Sequence, residues 1–330
     1  MHDLVVRGGT VVDGTGATSR TADVAVTDGR ITEVGRVEGT ARRTIDADGA
    51  LVTPGFVDVH THFDGQVTWD PLLTPSGWHG VTTVVMGNCG VGFAPVHPDK
   101  HEWLIGLMEG VEDIPGAALS AGIRWGWESF PEYLDAVDGM SKAIDVGAQV
   151  PHGAVRLHVM GERGAQRDPA TPEEIEQMAA LAAEGVVAGA LGFTTSRTMN
   201  HRTSRGEPTP TLTASADELV GIARGLGGVG RGVLQVVSDH MNTDEEFATF
   251  RRMVAESGRP LSFSLVQSPF EPEGYRQVLD RIDAARADGL AITAQVGTRA
   301  VGLLFGLQCT LHPFLNNPVF AEIASLRVPE

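Results

Sequence analysis

The pattern of apolar and polar positions divides the chain near residue 53. Before it, residues 4–6, 10–12, 22–27, 31–34 and 44–45 are short runs rich in β-branched side chains, cut by Gly8-Gly9, Asp13-Gly14, Asp28-Gly29 and Asp48-Gly49. Asp-Gly pairs between such runs are hairpin signals, because both residues tolerate the left-handed backbone of a tight turn. The pattern predicts a small antiparallel sheet over residues 1–53. So short a segment buries too little surface for a comfortable two-layer sandwich, and it is read as half of a composite β-sandwich.

From Pro54 onward, apolar runs of strand length alternate with helical stretches, as in successive βα units with a parallel sheet. Seven strands are read at 55–60, 82–87, 154–160, 188–195, 233–238, 261–267 and 290–296. Helices are read at 171–184, 216–225, 244–256 and 272–288. The first of these opens Thr171-Pro172-Glu173-Glu174: a capping hydroxyl, a proline in the first turn and two acids at the positive end of the helix dipole. Residues 92–150 form an insertion carrying Trp103, Trp125, Trp127 and Tyr133, expected to cover the C-terminal mouth of the sheet, its tryptophans either packing together, the commoner fate, or lining an acyl pocket. Seven units predict an α/β fold of the (β/α)8 TIM-barrel type over residues 54–330, incomplete because no eighth strand is legible.

Charge narrows the partners. The 25 basic and 42 acidic residues leave a formal charge of −17, which repels phosphate backbones and anionic lipid surfaces, so neither nucleic acid nor membrane is expected as a partner. Two cysteines cannot build a disulfide framework, and the N-terminal apolar run is too short for a signal peptide, so a cytoplasmic location is expected. Lys100 and Lys142 are the only lysines, which restricts any lysine-dependent metal chemistry to those two positions.

The first strand of the α/β region runs through Asp58-Val59-His60-Thr61-His62. Strand side chains alternate, so imidazoles at i and i+2 point the same way, into the mouth of a barrel, and two neutral imidazoles suit a borderline divalent ion such as zinc. The second strand runs into Asn88-Cys89-Gly90, placing a thiol on a glycine-flanked turn at the same end. Cys89 is there either a thiolate ligand or a small buried apolar side chain. Cys309 is read as structural.

The segments Pro54-Gly-Phe-Val-Asp-Val-His60-Thr-His62 and Gly80-Val-Thr-Thr-Val-Val-Met-Gly-Asn-Cys-Gly-Val-Gly-Phe-Ala-Pro95 resemble the amidohydrolase superfamily, and within it the N-acyl-D-amino-acid deacylases, or D-aminoacylases. Weaker matches are Gly161-Glu-Arg, Gly189-Ala-Leu-Gly-Phe-Thr-Thr-Ser-Arg197 and Ala294-Gln-Val. The resemblance implies a composite sandwich plus a metal-dependent barrel that hydrolyses amide bonds with Zn2+, with His60, His62 and Cys89 in the metal site. Many relatives bridge two metals with a carbamylated lysine at the end of the fourth strand; this chain has no lysine there, which excludes such a bridge by residue type.

The departures bear on the site. The resemblance implies metal histidines at the ends of the fifth and sixth strands, where this chain offers His240, a loop histidine or a ligand, and Gln267. It also implies a proton-transferring aspartate on an eighth strand, expected beyond Glu330. No residue is therefore assigned as catalytic, although Asp64 and Asp239 are carboxylates near strand ends. For the free carboxylate of an N-acyl amino acid, Arg197, Arg299 and His201 are the candidate binding residues. His152 is read as structural.

The expected function is thus zinc-dependent hydrolysis of a small-molecule N-acyl-D-amino acid. The alternatives are a cyclic-amide hydrolase of the dihydroorotase or hydantoinase kind, and a catalytically silent chain. An apolar face left by a missing strand predicts self-association, with a homo-oligomer as its outcome.

Overall fold

A computed structural model describes residues 1–240, 242–268, 271–298, 302, 306, 312–314, 317–324 and 326. They fall into two compact units, Met1–Val57 with Gly80–Thr82 and Asp58–His79 with Thr83–Glu330.

The first unit holds β1 (His2–Val11), β2 (Arg20–Thr27), β3 (Arg30–Gly35), β4 (Ala41–Asp46) and β5 (Leu51–Val52). The Asp28-Gly29 turn joins β2 to β3 with both residues left-handed, as a tight hairpin requires. The expected antiparallel pairing holds for β1, β2 and β3. It fails for β4 and β5, which run parallel to β1, because the chain crosses from the β3 edge to the far side of β1 before pairing again. Gly8-Gly9 does not end a strand either. β1 runs through it on a bulge, where Asp23 accepts from the Gly8 amide at 2.9 Å and from Arg7 Nη1 at 2.7 Å. Val5, Ala25 and Val37 form one small core of this sheet and Val11, Ala22 and Val24 another.

In chain order there follow β6 (Phe56–Asp58), β7 (Val81–Met86), α1 (His101–Glu112), α2 (Gly116–Gly122), α3 (Phe130–Asp138), β8 (Asp145–Ala148), β9 (Val150–Pro151), α4 (His152–Met160), α5 (Glu162–Ala165), α6 (Pro172–Ala188) and β10 (Gly192–Arg197). The remainder comprises α7 (Ala216–Val229), β11 (Val233–Ser238), α8 (Thr243–Ser257), β12 (Leu261–Ser264), α9 (Gly274–Ala287), β13 (Ile292–Gln295) and α10 (Pro318–Ile323). β7 pairs parallel with β8, and β9 to β13 form one parallel sheet in chain order. Only Gln149 separates β8 from β9, and its amide donates to Met86 O at 3.0 Å, so residues 145–151 act as one strand position bridging the two pairings. Phe193, Leu234, Val236, Leu261, Phe263 and Ile292 on these strands are fully buried, as parallel strands flanked by helices should be.

This arrangement corrects the third strand. Residues 154–160 are helical, within α4, and the strand lies at 145–151. Gly147 and Gln149 disguise it as a loop; the Leu191 side chain packs where a Cβ at 147 would stand, 2.4 Å from its Cδ1. The insertion is correspondingly helical, α1 to α3, before that strand. Its aromatics pack on one another: Trp125 stacks on His101 at 3.7 Å, Trp127 Nε1 donates to Phe93 O at 2.8 Å, and Tyr133 Oη donates to Asp64 O at 2.8 Å. α6 starts as predicted, with Thr171 and Glu174 forming a reciprocal capping box, but runs on to Ala188. Beyond β13, α10 is the one regular element among the described residues, and no described helix is long and apolar enough to cross a membrane.

Candidate metal centre

Cys89 is presented by an unusual turn. Gly87, Cys89 and Gly90 all have positive φ (81°, 55° and 67°), and a side chain at 90 would crowd the backbone of Thr195 and Ser196 at 3.1 Å. The Asn88 carboxamide fastens this turn. Its Nδ2 donates to Val85 O at 2.9 Å and Thr61 O at 3.3 Å, and its Oδ1 accepts from Gln149 Nε2 at 3.0 Å. Thr61 is tied in turn through its amide (2.9 Å) and hydroxyl (2.8 Å) to Val85 O. The residue between the two histidines and the residue before the cysteine therefore share one anchor at the end of β7.

The side chains converge accordingly. Cys89 Sγ lies 3.1 Å from His60 Nε2 and 3.4 Å from His62 Nε2. The two imidazoles meet edge to face with centroids 5.5 Å apart. His60 Nδ1 is 3.1 Å from Gln295 Oε1 and 3.4 Å from Ser264 Oγ, on β13 and β12. The amide oxygen takes the Nδ1 proton and leaves the Nε2 lone pair facing the thiol, the usual outer support of a metal-ligating histidine.

Two groups that the sequence reading left out or placed elsewhere join them. Glu112, the last residue of α1, puts Oε1 3.1 Å from His62 Nε2. His201 reaches in from the loop after β10, its Nδ1 held by Ser196 Oγ at 2.9 Å. The ligand atoms of His60, His62 and Cys89 lie within 4.8 Å of one another, and so do those of Cys89, Glu112 and His201. Nothing local in the sequence marks Glu112. Its one signal is an acid at a helix C-terminus, where the dipole disfavours it.

Electrostatics separates bases from acids. Burial, then the neighbouring His60 and His201, hold His62 well below the usual imidazole range. Burial lowers His60 against the bond to Gln295 and the charge of Asp58, and lowers His201 to about 4. All three imidazoles are therefore neutral near pH 7, the form that binds metal. The acids move the other way. Burial raises Asp64 to about 7 and, with help from Asp64 and Asp113, Glu112 to about 8. Burial, Glu112 and Asp64 push the Cys89 thiol well up. His62 Nδ1 and Asp64 Oδ2 are buried without a hydrogen-bond partner among the described residues. A nitrogen, sulfur and carboxylate donor set, with its acids pushed up chiefly by burial, fits a borderline divalent cation such as zinc.

The other sequence candidates fall elsewhere. The guanidinium expected to grip a substrate carboxylate is already filled: Arg197 Nε donates to Glu246 Oε1 and Oε2 at 2.8 and 3.0 Å, and Nη1 to Ala214 O at 2.7 Å. His240 joins neither donor group. Its ring lies 4.9 Å from that of Phe263, beside Phe247 and Phe250. Gln267 Nε2 donates to Pro272 O at 2.9 Å. Asp239 ties down the 198–200 loop through Thr198 Oγ1 and the Met199 amide. Arg299 and Cys309 lie outside the described residues.

The amidohydrolase family profile matches residues 43–329. A D-aminoacylase of Alcaligenes xylosoxydans xylosoxydans is 32% identical over 293 residues, 86% of this chain and 55% of that protein. A solved D-aminoacylase, described for the functional role of its binuclear metal center, superposes with a TM-score of 0.73 at 32% identity over 90% of this chain and 58% of the other. An N-acyl-D-glutamate deacylase from Bordetella bronchiseptica, complexed with zinc and a phosphonate inhibitor, gives a TM-score of 0.73 at 29% identity over 89% and 58%. The chain thus spans about half the length of the D-aminoacylase it matches.

Proposed function

Because the chain belongs to the amidohydrolase family, we propose that it is a zinc-dependent hydrolase that cleaves the amide bond of N-acyl-D-amino acids. The observation that carries the reading is the convergence of His60 Nε2, His62 Nε2 and Cys89 Sγ just past the ends of the neighbouring strands β6 and β7. The likeness to D-aminoacylase and N-acyl-D-glutamate deacylase supports the substrate class. The parallel pairings of β7 with β8 and of β9 through β13 in chain order, flanked by helices, support a (β/α)8-type barrel, whose sites lie at the C-terminal ends of its strands.

Zinc bound by His60, His62 and Cys89 would polarise the scissile carbonyl and bring the pKa of a water to about 7. The chain's own residues prepare that point. Gln295 and Ser264 fix the His60 ring, Asn88 and Thr61 fix the cysteine turn, and burial keeps the imidazoles neutral. Proton transfer is assigned, with the resemblance, to an eighth-strand aspartate, which has no counterpart among the described residues. Hydrolysis by the chain as it stands therefore tests whether that aspartate is required.

The experiment is release of free amine from an N-acetyl-D-amino acid by the zinc-loaded chain. The expected result is release that stops on chelation and in Cys89→Ser. No zinc binding, or release that persists on chelation, would overturn the reading; zinc binding with no release would favour a silent, metal-holding chain for which that aspartate is required. Turnover of a hydantoin instead would favour the cyclic-amide reading, which the absence of a lysine on β10 disfavours.

A further inference from the structure

His201 stands in the site without a part in the zinc assignment. It is carried by the loop after β10, and one of its ring nitrogens comes within 4.8 Å of Cys89 Sγ and of a Glu112 carboxylate oxygen. His60, His62 and Cys89 fill three positions of a tetrahedral zinc, and a hydrolytic site keeps the fourth for water or substrate. A further imidazole on that ion would close it, which leaves His201 to face whatever enters. We propose that His201 is a catalytic residue whose Nε2–H donates to the oxygen of the scissile carbonyl as that oxygen takes up negative charge. This role rests on the hydrolase function proposed above.

A buried hydroxyl fixes the hydrogen that this role needs. Ser196 is fully buried on β10, and its Oγ lies 2.9 Å from His201 Nδ1. A buried hydroxyl hydrogen requires an acceptor, and among the described residues the one bonded to Ser196 Oγ is that nitrogen. Ser196 therefore donates, and a ring whose Nδ1 accepts is neutral and carries its hydrogen on Nε2. Such a ring offers a donor without a charge, which suits an oxyanion forming beside a cation and not the grip on a free carboxylate. The loop is also held before any substrate arrives. The Ser196 carbonyl accepts from Thr211 Oγ1 at 2.7 Å, the His201 carbonyl accepts from the Thr209 amide at 3.3 Å, and Arg202 pairs with Pro208 in an antiparallel bridge. On the other side Asp239 holds Thr198 Oγ1 and the Met199 amide. A donor fixed in this way costs no reorganisation when the charge develops. The two groups beside it, Cys89 and Glu112, are acids, which ionise to acceptors and so cannot share the task.

The test is calorimetric binding of a phosphonate analogue of an N-acetyl-D-amino acid, whose P–O− oxygens stand for the oxyanion, to the zinc-loaded chain. Binding needs no proton transfer, so the result is independent of the eighth-strand aspartate. His201→Asn removes the Nε2 donor and should bind the phosphonate about 100-fold more weakly than the wild type, the scale of one lost oxyanion donor, with zinc affinity unchanged. His201→Gln returns an N–H to the Nε2 position and should recover most of the loss. Ser196→Ala, which frees the ring to change tautomer, should weaken the phosphonate by less than His201→Asn and leave zinc affinity as it was. Equal phosphonate affinity in the wild type and His201→Asn, or no phosphonate bound by the zinc-loaded wild type, would overturn the donor role and leave the metal assignment standing. No recovery in His201→Gln would assign the loss to packing, and loss of zinc from His201→Asn would make the residue a ligand; either overturns the donor role. So would a loss absent from a phosphonate lacking the amino-acid carboxylate, which would make His201 a carboxylate grip. A wild-type chain that binds no zinc would overturn the hydrolase function itself.

Discussion

His152, Arg156 and Glu218 are more deeply buried than His62 and Glu112, yet their charges answer one another. His152 lies 2.8 Å from Thr195 Oγ1 through Nδ1 and 2.9 Å from Glu218 Oε1 through Nε2. Arg156 pairs with the same carboxylate at 2.9 Å and donates to Asp168 O at 2.6 Å and to Pro210 O. Burial alone would raise Glu218, but His152 and Arg156 bring its carboxyl below the usual range. Around Cys89 no cation among the described residues answers the acids, and the carboxyls and thiol move up instead. One cluster is closed by the chain and holds the fold. The other gathers lone pairs around a point, the arrangement that the proposed metal would close.

That contrast can be broken at four places. The largest effect is expected from Glu218→Ala, which strands a buried guanidinium and imidazole; it should cost about 3–5 kcal/mol in urea unfolding, and a loss under about 1 kcal/mol would deny the cluster its structural role. Next, Cys89→Ser should weaken zinc binding by more than the roughly 10- to 100-fold typical of losing an outer-shell partner. Its metal-free unfolding free energy should change by only about 1 kcal/mol, the ordinary scale of a point substitution. A comparable collapse of stability would make Cys89 a core residue instead.

The third place is pH. Glu112, raised to about 8, and the raised thiol hold protons in the metal-free protein, whereas the imidazoles, with His201 near 4, have already lost theirs. A cation must therefore displace protons from the acids and none from the histidines. Affinity should rise with pH, by about 100-fold per displaced proton between pH 6 and 8, as read by competition with a chelator. A flat profile would mean that the acids do not bind. The smallest effect is expected from Gln295→Leu, which removes one support of His60. About a tenfold loss in zinc affinity is predicted, at the low end of outer-shell effects, because Ser264 still reaches the ring. No change would mean that the His60 ring is set by packing alone.

What could be read in the sequence was what is local. The capping box at Thr171 and the strand at Val233–Ser238 follow from side chains within a few positions of one another, and both stand where the pattern puts them. The same holds for His60 and His62, two residues apart on one strand end. The third strand was hidden because its glycine answers to Leu191, 44 residues away, and not to its neighbours. Arg197 looked like a free fork because Glu246, which fills it, is 49 residues distant. Glu112 left no trace because a helix terminus aims it, and the aim exists only once α1 is folded beside the turn of Cys89.

The central assignment is most directly tested by X-ray absorption on the chain loaded with one equivalent of zinc. The account predicts one sulfur at about 2.3 Å and two imidazole nitrogens at about 2.0–2.1 Å. A shell of oxygens without sulfur would contradict it.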